Sequence, residues 1–275
     1  MSEHKLEKAI REAPIHLLTR ADKLVRLEAQ KQMRELRSRC SGSKRLEGYG
    51  FKAYSQHDED GIIQEIFRRI GTTTQRFVEF GAGIGLESNC AFLLLQGWSG
   101  AWAEGNSIYT AEIHKTFERE IQSGQLLVST QMITKDNVNS LVESRGDLGL
   151  LSIDVDGNDY TLWEAVKSKP RVVAIEYNAA FPPPAKVVQA YQPELNWNGT
   201  TYYGASLMAL EELATVKGYT LVGTNITGVN AFFVRNELVG DRFVHESLTE
   251  LYNPARYALG EFGFDGHPAG WGKWR

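Results

Sequence analysis

Arg76–Asn89, RFVEFGAGIGLESN, decides how the rest of the chain is read. Phe77, Val78 and Phe80 are apolar and strand-like, Glu79 sits one residue before the strand's end, and Gly81, Gly83 and Gly85 follow at once. The segment from Leu86 to Leu95 reads as a helix. A buried strand, a glycine turn and a helix start together make a nucleotide-binding corner. Glycine lets the backbone pass close to a ligand, and free N–H groups at the helix start point at it. Glu104 ends the next expected strand, Gly100–Glu104, about 20 residues further on, where an acid would grip ribose hydroxyls.

Spacing discriminates between cofactors. A dinucleotide fingerprint needs G-x-G-x-x-G or G-x-G-x-x-A, and here Leu86 stands at the third position. An acid two residues before the first glycine is foreign to that fingerprint. The pattern E-x-G-x-G-x-G over Glu79–Gly85 resembles instead the first motif of the class I S-adenosylmethionine (SAM) methyltransferases. In that family the neighbourhood of the first acid holds the methionine amino group, and the second-strand acid holds the ribose. The resemblance implies Glu79, Gly81, Gly83, Asn89 and Glu104 as cofactor residues here, with SAM as the cofactor. The competing reading is a tight turn that binds nothing.

The 275 residues suffice for one large domain, or one domain with an appendage. Hydrophobic content of 42% and charged content of 23% are ordinary for a globular protein. No apolar run approaches the roughly 20 residues of a membrane span, and the polar start MSEHKLEKAIREAP shows no signal peptide. Cys40 and Cys90 form no ligand or disulfide pattern, which suits a reducing cytoplasm. A net charge of −4 argues against nucleic acid as the main partner. A small molecule is the expected substrate.

Residues 1–48 are expected to form an N-terminal helical cap, and 49–275 a Rossmann-like catalytic domain. Leu17, Leu18, Ala21, Leu24 and Val25 share one helical face, and residues 1–40 carry ten Lys and Arg against six Asp and Glu. Such a basic amphipathic helix suits a membrane or a partner, but packing on the main domain with its charges solvated is favoured. Ser41-Gly42-Ser43 and Gly48-Tyr49-Gly50 mark the boundary. In AYSQHDEDGIIQEIFRRI, residues 53–70, Ser55 reads as an N-cap with Asp58 three residues on, and Ile62, Ile63, Ile66, Phe67 and Ile70 form an apolar helical face. The Tyr54-Ser55-Gln56…Glu59-Asp60 segment resembles the first helix of FkbM-like methyltransferases, so Gln56 is a candidate for the cofactor's carboxylate end. Capping alone explains it equally well. His57 reads as a surface or capping histidine.

A helix over 108–124, strands over 126–129 and 148–153 and a helix over 135–145 are expected next. The residues after the third strand, 130–134, would line an adenine pocket in this fold. Asp154-Val155-Asp156-Gly157-Asn158-Asp159 follows the fourth strand. A calcium loop would need Gly sixth and Glu twelfth, where this chain has Asp159 and Ala165. The segment resembles the fourth methyltransferase motif, with Asp156 where FkbM-like proteins carry Glu. Asp154 is the first candidate for the reacting centre, as well as a cofactor contact. Asp159 or Asn158 is expected to cap the helix over 160–166. No other metal-ligand spacing appears, and none of the six histidines forms HxxxH or HExxH.

A fifth strand, Arg171–Glu176, leads into Tyr177 and Asn178, and then the pattern breaks. Residues 179–203, rich in Pro, Tyr and Trp, look like a substrate lid. Ser206 starts the next helix, and two closing strands, Tyr219–Gly223 and Ala231–Arg235, resemble the last pair of the methyltransferase sheet. Tyr177, Asn178 and Ser206, with Asp154, are the catalytic candidates. A seven-stranded, mostly parallel α/β sheet follows. FkbM-like relatives O-methylate sugars and natural products, which implies a small-molecule hydroxyl as acceptor. A second reading, also on this fold, is a cyclase like the azetidine-2-carboxylate synthases, in which SAM is the sole substrate and methylthioadenosine leaves. A non-catalytic SAM-binding protein is a third, and an NAD oxidoreductase is disfavoured by Leu86.

Overall fold

The computed structural model describes residues 15–194, 197, 199–263 and 270–271. Seven strands form one sheet in the order β3-β2-β1-β4-β5-β7-β6. They are β1 (Arg76–Phe80), β2 (Ser99–Glu104), β3 (Leu126–Thr130), β4 (Leu150–Ile153), β5 (Val172–Glu176), β6 (Tyr219–Thr224) and β7 (Asn230–Arg235). β1 to β5 run parallel, and β7 lies antiparallel between β5 and β6. This is the expected α/β class and the expected Rossmann-like sheet.

The parallel strands are continuous apolar runs because helices cover both faces. Alternation divides the strand residues between two cores. Val78, Phe80, Leu151, Ile153, Val173 and Ile175 pack on one side. Phe77, Trp102, Leu150, Ala174 and Phe232 pack on the other. Helices α1 (Ile15–Ser38), α2 (Glu59–Ile70), α3 (Ala91–Leu95), α4 (Ser107–Thr116), α5 (Glu118–Gln122), α6 (Val138–Glu143), α7 (Asp159–Ala165), α8 (Leu207–Lys217), α9 (Asn236–Val239), α10 (Leu248–Leu251) and α11 (Tyr257–Phe262) complete the described elements. No helix among the described residues is long and apolar enough to cross a membrane.

Two expectations change here. The helix expected from Leu86 is only α3, Ala91–Leu95; residues 81–90 are turns and loop. The helix expected over 108–124 is broken into α4 and α5 at Phe117, which is fully buried.

The N-terminal helix also behaves differently from its reading. Its second half packs on the body through Ala29 and Met33, but residues 20–28 are all exposed, with Leu24 67% and Val25 50% accessible. The expected apolar face therefore stays in solvent at Leu24 and Val25. Residues 1–14 and the side chains of Leu17 and Leu18 lie outside the described residues. The Ser41–Gly50 stretch is built into the core: Leu46, in a 3-10 turn (Leu46–Tyr49), is fully buried and packs against Gly223 of β6.

A candidate cofactor corner and a carboxylate cluster

From β1 the chain moves outward to β2 and β3, then returns to place β4 and β5 on the other side of β1. The crevice at the carboxyl ends of β1 and β4 is thus the topological switch point, where ligands bind in open α/β sheets. Gly81 sits there because nothing larger fits: a Cβ would lie 1.6 Å from the Asp154 carbonyl oxygen, and φ is +78°.

Glu104 closes the same corner from β2. Its carboxylate accepts from the Gly83 N–H at 2.9 Å and from the Asn106 N–H at 2.8 Å. The acid and the glycine turn, read separately in the sequence, are in direct contact.

Glu79 has a different duty. It is buried, and its carboxylate accepts from the Ser88 hydroxyl and, at 2.9 Å, from the Asn89 N–H. Asn89 in turn donates to the Ser152 hydroxyl at 3.1 Å. Burial raises the Glu79 pKa against the lowering effect of those bonds. The carboxylate therefore shapes the loop over 88–90, with both oxygens bonded within the protein. That bonding also explains why no helix starts at Leu86.

The loop over 53–60 lies beside the corner. Asp60 Oδ2 accepts from the successive backbone N–H groups of Ala53 (2.7 Å), Tyr54 (2.7 Å) and Ser55 (2.8 Å), and from the Ser55 hydroxyl (2.9 Å). Ser55 is not the N-cap of α2; that position is Asp58, which makes no side-chain cap bond. Gln56 is exposed, and its carbonyl accepts from Lys52 Nζ at 2.8 Å. His57 is buried against Gly260 of α11, not on the surface.

A cluster of carboxylates lies between the ends of β4 and β5. One oxygen each of Asp154, Asp159 and Glu176 lies within 4.8 Å of the others. Asp159 folds the loop around itself by accepting from the Val155 and Gly157 N–H groups at 2.9 Å each, which holds Asp156 at φ +56°. Burial pushes the Asp159 pKa up to about 6. Burial first, then the neighbouring carboxylates, pushes Asp154 and Glu176 well above the usual carboxylate range. Such groups hold protons at neutral pH or accept a counter-cation. Three oxygens at this separation suit a hard divalent ion such as Mg²⁺ or Mn²⁺. Sequence spacing gave no hint of the grouping, since the three residues come from a strand end, a helix start and the next strand end. Asn158 holds the N-cap position of α7 as expected but makes no side-chain cap bond; its side chain is tied instead to the backbone of Gln192.

The 179–203 segment, expected as a lid, is pinned at several points among its described residues. Asn178 donates to the carbonyls of Thr201 and Tyr203 at 2.8 Å each and accepts from the Ala180 N–H at 3.0 Å. Ser206 caps α8, accepting from the Ala209 N–H at 3.4 Å and from the Val187 N–H at 3.0 Å. Tyr177 is fully buried and donates its hydroxyl to the Asn253 carbonyl. These three catalytic candidates thus have their polar groups bonded to the lid and the closing loop. Burial first, then the charge of Glu176, raises the pKa of Tyr203. Its hydroxyl pairs with that of Tyr257 at 2.8 Å, joining the lid to α11. Tyr203 is legible in the sequence, with Tyr202 and Ser206, as a residue at the return of the 179–203 segment expected to face the cofactor, whereas Tyr257 carries no signal.

Fold and site together define a Rossmann-like α/β protein with a glycine-turn corner at its switch point. No family model matches the chain, and no curated protein matches it. Among solved structures it is similar to an O-methyltransferase from Bacillus cereus in complex with SAH (12% identity, 75% of this chain and 89% of that one, TM-score 0.43). It is also similar to the N-terminal domain of EvdMO1 with SAH bound (13%, 73% and 94%, TM-score 0.43) and to the glycopeptide N-methyltransferase MtfA with SAM (11%, 64% and 86%, TM-score 0.39). Likeness at this level says nothing of substrate.

Proposed function

We propose that this chain binds SAM at the carboxyl ends of β1 and β2 and transfers its methyl group to a hydroxyl of a small molecule. The observation that supports the reading is the Glu104–Gly83 hydrogen bond, which joins a strand-end acid to a glycine turn at the switch point, where such an acid would grip a ribose. Glu104 would exchange the Gly83 N–H for the ribose diol, and the glycine backbone would line the cofactor's amino-acid side.

Methyl transfer needs alignment more than acid–base strength, because the sulfonium is already activated. The acceptor oxygen attacks the methyl carbon, the S–C bond breaks toward sulfur, and the hydroxyl proton leaves to a base. Asp154 and Glu176 are the candidate bases: whichever of the two is ionised takes a hydroxyl proton more readily than an ordinary carboxylate, because burial and its neighbours raise its proton affinity. Tyr203 and Tyr257 would roof the reacting groups.

Incubation with SAM, with and without candidate acceptors, tests the proposal by mass spectrometry. Adenosylhomocysteine formed only with an acceptor supports the transferase. Methylthioadenosine from SAM alone supports the cyclase instead. Binding without turnover under either condition supports a non-catalytic SAM-binding protein, and no binding at all removes the cofactor assignment.

A further inference from the structure

We infer that Trp271, near the carboxyl end of the chain, is a positioning residue for the cofactor corner, an inference that rests on the proposed SAM site. Its ring lies between two others, 5.3 Å from Tyr54 and 4.6 Å from Phe117, measured between centroids. The Tyr54 hydroxyl also donates to the Gly270 carbonyl at 3.0 Å.

Each of those two rings belongs to a different wall of the corner. Tyr54 is the middle residue of the three whose N–H groups converge on Asp60. Phe117 lies under the glycine turn: a Cβ at Gly85 would come within 2.7 Å of the Phe117 ring and 2.8 Å of Trp102, and φ there is +82°. The path of the glycine turn is therefore set by where Phe117 stands, and Trp271 stands against Phe117. Through Tyr54 it likewise holds the loop over 53–60. One side chain, 186 positions after Gly85, braces both segments that frame the crevice.

The brace can be removed without emptying a core. Trp271 is half-buried and forms one wall of a cavity of about 400 Å³, so its loss enlarges a space that is already open. A residue of this kind acts through pre-organisation: the loops it orders no longer have to be ordered by the ligand. Its effect belongs in cofactor affinity and in local loop opening, more than in global melting.

The test compares wild type, Trp271→Ala, Trp271→Phe and Tyr54→Phe. Calorimetry with S-adenosylhomocysteine is read beside amide hydrogen exchange and melting temperature. Trp271→Ala is expected to weaken binding tenfold or more and to speed exchange at Ala53, Tyr54 and Ser55, with the amides of β4 and β5 unchanged. Trp271→Phe keeps a ring between the same neighbours and is expected to stay within about threefold of wild type. Tyr54→Phe, which loses only the bond to Gly270, is the second variant should Trp271→Ala fail to fold, and is expected to speed the same amides. Wild-type affinity in Trp271→Ala together with unchanged exchange at 53–55 would overturn the inference, as would equal acceleration across the whole sheet. If wild type binds no S-adenosylhomocysteine, the SAM site itself fails. The exchange pattern then decides alone: selective opening at 53–55 upholds the brace, and anything else removes it.

Discussion

The Glu104 carboxylate on β2 and the Gly83 N–H in the turn after β1 are joined by a 2.9 Å hydrogen bond across 21 positions of sequence. The second glutamate oxygen holds the Asn106 N–H at 2.8 Å. Glu104→Ala therefore removes the expected ribose acceptor and releases the turn. SAM affinity should fall by roughly 1.5–3 kcal/mol, the range for a charged hydrogen bond. Unchanged affinity by calorimetry would detach Glu104 from the cofactor.

The carboxylate cluster sets stability against function. Asp154, Asp159 and Glu176 have raised folded-state pKa values, so each favours its protonated form in the fold, and stability falls as pH climbs from the unfolded value through the folded one. Glu176→Gln should melt higher than wild type at pH 8 and flatten the decline between pH 5 and 8. Turnover should drop by about 10² or more if Glu176 is the base. Equal melting of the two proteins at pH 8 would show that the repulsion is relieved in some other way.

A divalent cation supplies one such way. Millimolar Mg²⁺ or Mn²⁺ should raise the wild-type melting temperature, because a ligand of the folded state stabilises it, and the rise should vanish in Glu176→Gln. A chelator should reverse it. Melting curves insensitive to both ions would leave the three carboxyls to protons.

Asp58, outside the cluster, gives a second pH signature of the same physical origin. It is fully buried, and Arg37 of α1 stands 3.8 Å from its Oδ2. Burial first, then the charge of Glu59, pushes its pKa from 3.8 to about 7. The raised value means that stability, fully present below the unfolded pKa, is lost as pH rises from that value toward about 7. Denaturant titrations of Asp58→Asn between pH 4 and 7 should show a flatter profile than wild type. Parallel profiles would assign the pH dependence elsewhere.

Tyr177 should behave as a structural residue. Its hydroxyl is given to the Asn253 carbonyl inside the protein. Tyr177→Phe should lower stability by about 1 kcal/mol, the net worth of a hydrogen bond plus part of a stranded carbonyl, and leave turnover near wild type. A tenfold loss of turnover at unchanged melting temperature would restore it to the reacting centre.

The sheet was legible because buried parallel strands are short apolar runs: Arg76–Phe80 is followed at once by Gly81, Leu150–Ile153 by Asp154, and Val172–Glu176 ends in its own acid. The stretch after Gly85 was misread as a helix because its side chains suit one. The backbone obeys the Glu79 carboxylate instead, which takes the Asn89 N–H out of any helical ladder. Of the site, Glu104 and Gly83 were legible from position alone. The grouping of Asp154 with Asp159 and Glu176 was not, because β4, α7 and β5 meet only after the sheet forms. Trp271 and Tyr257 carried no pattern, since an isolated aromatic has no period.

The packing of Trp271 on Tyr54 and Phe117 also bears on the order of events during synthesis. The strands that hold the corner, β1 and β2, are made well before the ring that braces it, which lies 167 positions after Glu104. Chains grow at roughly 5–20 residues per second, so β1 and β2 wait on the order of ten seconds for that contact. Until then the segment around Tyr54 should remain open to proteases while the sheet does not. Ribosome-stalled chains cut by protease at 53–60 before residue 271 emerges, and protected afterwards, would make Trp271 the timer for that loop.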